Sequence, residues 1–157
     1  MMKIGVIAVG KLKEKFWQDA CGEYLKRLKG YAKVRVDEVP DRDPNRCGGE
    51  AAARKQEGKD ILEALPERSH VILLDIEGKQ LSSEGIAARM DALSLMGVSE
   101  ITFVIGGSCG VSRGVYDESD ETLSFGKITL PHNLARVVLL EQIYRAFKIS
   151  RGEPYHK

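Results

Sequence analysis

No apolar run in the 157 residues approaches the roughly 20 needed to cross a bilayer, which excludes a membrane-embedded chain. Cysteine is scarce. Cys21, Cys47 and Cys109 are an odd number, set far apart and without a C-x-x-C pair. They fit free thiols in a reducing compartment better than a disulfide framework. The three histidines, His70, His132 and His156, stand isolated, and nothing has metal-ligand spacing, so no metal is expected. An excess of either charge is also missing: 24 basic against 23 acidic residues leave +1, which by itself does not point to nucleic acid. Met1 to Val9 is too short for a signal-peptide core and has no small-residue cleavage site after it. A cytoplasmic protein is expected.

What is present reads as one globular domain, 1–157, at roughly 100–200 residues per domain. The hydrophobic fraction of 43% and charged fraction of 30% are ordinary, and exclude a disordered or collagenous chain. The near-neutral total hides a polarity. Residues 1–35 hold nine Lys or Arg against three Asp or Glu; residues 36–126 hold nine against eighteen; residues 127–157 hold six against two. Two basic ends that met in the fold would make a face suited to phosphate. A charge run alone more often marks solvated helix faces.

Lys3 to Val9 is β-branched and apolar and stops at Gly10, a buried strand. Residues 13–29 carry Phe16, Trp17, Ala20, Cys21, Tyr24, Leu25 and Leu28 at helical spacing, with lysines opposite. A second strand spans Ala32 to Val39, and Asp41 to Gly49 is a loop. Residues 50–65 read as a helix and Val71 to Ile76 as a strand covered on both faces. A turn follows at Glu77-Gly-Lys, then a helix capped by Ser82 or Ser83 and running to Gly97. Ile101 to Ile105 opens into Gly106-Gly-Ser-Cys-Gly110, and a short helix starts near Ser112. Leu123 to Leu130, interrupted at Gly126, is the expected last strand, and 134–149 the last helix. Strands alternating with helices predict an α/β fold with a mainly parallel sheet and helices on both faces.

In such sheets ligands bind beyond the carboxyl ends of the strands. Three ends qualify: Leu74 to Ile76, Gly106 to Gly110, and Phe125 to Leu130. Glycines let the backbone approach a ligand and offer its N–H groups, yet a tight strand-to-helix turn explains the pattern about as well. There is no P-loop, no G-x-G-x-x-G on the first strand and no G-x-S-x-G elbow. Cys109 has no identifiable His partner and reads as a small loop residue, and Asp75 and Glu77 as strand-end residues. The tail is unusual: Tyr155, His156 and Lys157 follow a helix with Arg136, Arg145, Lys148 and Arg151. Such groups suit base stacking and phosphate contact, although a terminus is more often simply disordered.

Several separate motifs occur in one order: Ala8-Val-Gly-Lys-Leu-Lys-Glu-Lys-Phe-Trp17, Phe103-Val-Ile-Gly-Gly-Ser108, Leu123-Ser-Phe-Gly-Lys127, Leu130-Pro-His132, Arg145-Ala-Phe-Lys-Ile149 and Arg151-Gly-Glu-Pro-Tyr-His-Lys157. Over its whole length the chain resembles the ribosomal RNA large subunit methyltransferase H family of the SPOUT superclass. That resemblance implies a domain whose C-terminal part is threaded into a trefoil knot, which general topology rules would have excluded. It implies a homodimer that uses S-adenosylmethionine to methylate N3 of a pseudouridine in the helix 69 loop of 23S rRNA, on assembled ribosomes. Carried over by position, the cofactor contacts are Leu74, Gly106, Phe125, Gly126, Lys127, Ile128, Thr129 and Leu130. The family pattern has Asn or Glu at Cys109 and Ser at Gly126, departures that backbone-mediated contacts would tolerate.

Loss of the N3 proton calls for a base or a stabilised anion. His156 or Tyr155 is expected at the acceptor, with Arg145 supplying positive charge, and in a dimer the tail is a candidate to complete the partner's site. Two rivals use the same features: a nucleotide- or flavin-binding oxidoreductase at the same strand ends, and a ribosome-binding module without activity.

Overall fold

The computed structural model describes residues 1–156; Lys157, the last residue of the tail motif, lies outside them. Its elements, in chain order, are β1 (Lys3–Val9), α1 (Lys15–Leu28), β2 (Lys33–Val39), α2 (Pro44–Cys47), α3 (Glu50–Ala64), β3 (His70–Gln80), α4 (Ser83–Leu95), β4 (Glu100–Ile105), α5 (Arg113–Glu118), β5 (Glu121–Ser124) and α6 (His132–Ser150). The five strands form one sheet in the order β2-β1-β4-β3-β5. All four pairings are parallel, as crossover helices require.

Successive strand residues face opposite sides, so the apolar runs supply two cores. Ile4, Val6, Ala8, Ile72, Ile101, Phe103 and Ile105 pack under α1, α4 and α6, against Leu28, Leu93, Leu139, Leu140 and Ile143. Ile7, Val9, Leu73 and Val104 face the other way, against Ile61 of α3 and Val115 of α5. Helices therefore cover both faces, and the expected fold class holds. Each fully buried Leu, Ile or Phe here contributes roughly 1.5–3 kcal/mol by leaving water.

Local chemistry sets the helix starts. Ser82 Oγ accepts from Gly85 N at 2.9 Å and begins α4. Ser112 does the same for Val115 N in α5. Asp43 Oδ1 accepts from Asn45 N, and with Pro44 at the first position it nucleates α2 inside what the sequence presents as a loop. Phe16 is 63% exposed and Trp17 only half-buried, so the buried stripe of α1 begins at Cys21.

The last strand differs from expectation. It ends at Ser124 instead of continuing to Leu130, because Gly126 N donates to the Ser124 hydroxyl and not to a neighbouring strand, and Gly126 turns the chain at φ +116°. Conversely, β3 runs past Ile76, and its pairing with β5 breaks after Leu74 and resumes at Lys79. Asp75 to Gly78 form an arch over the end of β5.

The two basic ends do meet, since α1 and α6 lie side by side. Tyr31 OH donates to Glu153 at 2.5 Å, and the Arg27 guanidinium lies 5.7 Å from the Tyr144 ring centroid. Several of the cations are neutralised where they meet: Arg27 pairs with Glu23, Lys148 with Glu153 and Arg145 with Glu141. None of the described helices is long and apolar enough to cross a membrane.

Candidate active site

The ends of β3, β4 and β5 bring the eight sequence-assigned cofactor residues to one edge of the sheet. Leu74 is the last paired residue of β3 before the arch and packs on the α1/α4/α6 core. Within the arch, Glu77 N donates to Asp75 Oδ1 at 3.2 Å. A Cβ on Gly78 would lie 2.9 Å from both Asp75 O and Leu123 N, so only glycine seats the arch this close to β5. Ser124 Oγ donates to Ile76 O at 2.9 Å and accepts from Gly126 N at 3.1 Å, fastening the arch to the segment that follows β5.

The glycine loop is a tight turn in which Gly110 N donates to Gly107 O at 3.0 Å. A Cβ on Gly106 would meet Val111 Cγ1 at 2.7 Å, so the turn itself demands glycine there, independently of any ligand. One on Gly107 would lie 3.0 Å from both Val9 Cγ1 and Glu57 Oε1. From below, Arg54 Nη1 of α3 donates to Cys109 O at 3.2 Å. The third segment, Phe125 to Leu130, is irregular. Phe125 packs inward, while Lys127, Ile128 and Thr129 are exposed. Ile128 is 71% exposed and Ile76 of the arch 50%, two large apolar side chains open to solvent at the same strand ends. Apolar surface beside non-repetitive backbone suits a ligand with an aromatic base and hydrogen-bonding edges.

The three tail residues assemble on α4 and α6. Arg145 Nε donates to Glu141 Oε1 at 2.8 Å, and its guanidinium lies 4.7 Å from the Tyr155 ring centroid. Tyr155 packs edge-on against Tyr144 at 4.9 Å. Burial, and then the nearby Glu141 carboxylate, push the Tyr155 phenol up, so it stays protonated. His156 sits between Arg145 Nη1, 3.0 Å from Nδ1, and Glu84 Oε1, 2.6 Å from Nε2. Arginine can only donate, so Nδ1 must accept and Nε2 carries the proton toward Glu84. The Glu84 carboxyl is lowered, first by its own backbone N–H at the start of α4 and then by His156.

Among the described residues, no hydrogen bond or ion pair joins this triad to the cofactor loops of the same chain. Glu84, Glu141, Gly78, Ser124 and Arg54 are site-building residues that the sequence reading did not single out. Glu141 could have been found, four residues before Arg145 on one helix face. Gly78, Ser124, Glu84 and Arg54 act across the fold and leave no local signal.

A groove of about 850 Å³ lies between α3 and α5, lined by Leu62, Val111 and the stems of Lys55, Lys59 and Arg113. It adjoins the exit of the glycine loop, and Glu63 also lines it. Among the described residues, no group of three or more His, Cys, Asp or Glu side chains could hold a metal ion.

A family model described as "Predicted SPOUT methyltransferase" matches residues 2–156, nearly the whole chain. The chain belongs to the SPOUT methyltransferase family. It is an enzyme by that membership, and SPOUT methyltransferases in general take their methyl group from S-adenosylmethionine. Curated relatives agree. The ribosomal RNA large subunit methyltransferase H of Bacillus cytotoxicus is 54% identical over 99% of this chain and 100% of its own length. The protein of the same name from Bacillus thuringiensis (strain Al Hakam) is 53% identical over the same shares.

Proposed function

We propose that this SPOUT chain methylates N3 of a pseudouridine in the helix 69 loop of 23S rRNA, acting as a homodimer on assembled ribosomes in the cytoplasm. The observation that carries the reading is full-length similarity to relatives named for large-subunit rRNA methylation, coupled with an open loop cradle at the strand ends. S-adenosylmethionine fits that cradle: Ile76, Ile128 and Leu130 offer apolar surface, and Leu74, Gly106 and the 125–130 backbone offer hydrogen-bonding edges. When bound, it supplies an electrophilic methyl group. The chain's own contribution is to hold the acceptor in line and take away its proton. The trefoil threading of the C-terminal part is carried into this reading from the resemblance.

At the acceptor, His156 is the better base of the two candidates. Its Nδ1 presents a free lone pair once Arg145 lets go, whereas the Tyr155 phenol is held protonated. As the methyl joins N3, the N3 proton passes to His156 Nδ1, the nitrogen that Arg145 occupies without RNA. Arg145 turns to the developing negative charge of the base, and Tyr155 offers it a stacking face. The absence of any bond between the triad and its own cofactor loops favours a tail that serves the partner's loops.

The test is transfer of labelled methyl from S-adenosylmethionine to intact ribosomes lacking this modification, with naked 23S rRNA alongside. Label on ribosomes, mapping to one pseudouridine, is expected. Label on neither, from folded protein, would overturn the reading and reopen the strand-end cradle to another nucleotide cofactor.

A further inference from the structure

Outside the two catalytic halves, the sharpest oddity is a buried acid. Glu57 of α3 is 2% exposed, on the face of the sheet opposite the tail triad. Its Oε2 accepts from Arg42 N at 2.9 Å, while Oε1 has no hydrogen-bond partner. A carboxyl left half-satisfied in an interior costs several kcal/mol if ionised. Ordinary packing would have placed an apolar side chain there.

What Oε1 faces is the underside of the glycine loop, since a Cβ on Gly107 would lie 3.0 Å from it. Three residues earlier on the same helix face, Arg54 grips the same turn through Cys109 O. One residue later, Gly58 admits the end of that loop: a Cβ there would lie 2.2 Å from Ser112 Oγ. Residues 54, 57 and 58 of α3 thus form a bed for 107–112. We propose that Glu57 is a positioning residue for the cofactor loop, its buried carboxyl setting the height of Gly106–Gly110 from beneath. The proposal rests on the cofactor reading given above.

The surroundings of Glu57 bias its carboxyl toward the protonated form. Burial pushes Glu57 up, Asp41 adds to this, and the Arg42 amide only partly opposes it. The Arg42 guanidinium is turned away to Asp60 at 2.7 Å, and Arg54 is spent on the loop. β1 presents Val9, which lies as close to the Gly107 position as Glu57 Oε1 does. Ionisation of Glu57 would set a negative charge against Gly107 and beside Asp41, and so displace the turn.

Two variants test this in the full-length protein, with KM for S-adenosylmethionine and kcat measured on ribosomes across pH. Glu57→Gln keeps the shape without the ionisation. It should match the wild-type KM at low pH and stay flat as pH rises above the ordinary glutamate range, where the wild-type KM rises. Glu57→Leu should raise that KM about tenfold, a loss near 1.4 kcal/mol, with kcat at saturating cofactor and KM for ribosomes within about twofold. Identical pH profiles for wild type and Glu57→Gln overturn the proposal, as does a folded Glu57→Leu with unchanged cofactor KM. Wild-type protein that does not use S-adenosylmethionine at all would instead sink the cofactor reading itself.

Discussion

Gly78 sits so tightly on β5 that an added Cβ would lie 2.9 Å from the backbone nitrogen of Leu123 and 3.0 Å from its carbonyl carbon. Backbone cannot give way as a side-chain end can, so Gly78→Ala must lift the arch off the strand. It should cost roughly 1–3 kcal/mol, the usual range for overpacking. Because Leu74 leads into the arch and Ile76 rides on it, cofactor binding should weaken with it. Thermal unfolding and calorimetry with S-adenosylmethionine would check both; a variant of wild-type stability and affinity would show that the arch is not seated by this contact.

Arg136 makes a second long-range tie. It is 3% exposed, donates to Glu38 Oε2 at 2.7 Å and to Gly10 O at 3.1 Å, and so pins the start of α6 to the ends of β1 and β2. Arg136→Met leaves the Gly10 carbonyl and the partly buried Glu38 without their donor. A loss of about 3 kcal/mol is expected, as for breaking a buried pair. Glu38→Gln, which retains an acceptor, should cost less. Chemical denaturation of the two variants distinguishes them.

The fold was largely legible because its strands are continuous apolar runs of β-branched residues and its helices are punctuated by serine caps and glycines. Lys3–Val9 and Glu100–Ile105 needed nothing beyond their own residues. The end of β5 was not legible. Leu123 to Leu130 has the composition of a strand, and only the bond from Ser124 to Ile76, 48 residues away, shows why it stops. Glu57 was hidden for a similar reason: in Lys55-Gln-Glu-Gly-Lys59 it reads as one more solvated charge, and only the loop arriving above it makes it buried. Tyr155 and His156 stood out in the sequence as an unusual tail after a helix bearing Arg145, and Glu84, which completes their constellation, came from the fold alone.

Glu121 joins β5 to α4 and β3, with Arg89 Nη2 at 2.7 Å and His70 Nε2 at 2.6 Å. Burial raises its carboxyl, but the bonds from Arg89 and His70 outweigh this, and the net shift is downward. A carboxyl lowered by folding contributes stability above its unfolded pKa and loses it as pH falls through the folded one. The link should therefore be intact at neutral pH and fail below the ordinary glutamate range. Glu121→Gln should lose about 1 kcal/mol at pH 7 and flatten the acid limb of the stability curve. Urea denaturation across that range is the measurement, and an acid limb unchanged by the substitution would argue against the link.

The tail makes the most discriminating prediction. His156→Ala should keep cofactor affinity, because no described contact ties His156 to the strand-end loops, and should lose turnover by about 10²–10⁴-fold, as for a general base. Gly106→Val should do the reverse, since Val111 Cγ1 stands 2.7 Å from where its Cβ must go. Mixing the two inactive proteins then tests where the tail acts. If each tail serves its own loops, every site in a mixed dimer carries one lesion, and activity stays absent. If the tail serves the partner's loops, one site of each mixed dimer pairs intact loops with an intact tail, while its mate carries both lesions. Methyl transfer to ribosomes should therefore reappear on mixing and subunit exchange. Persistent inactivity, with mixed dimers shown to form, would assign the triad to its own chain's loops.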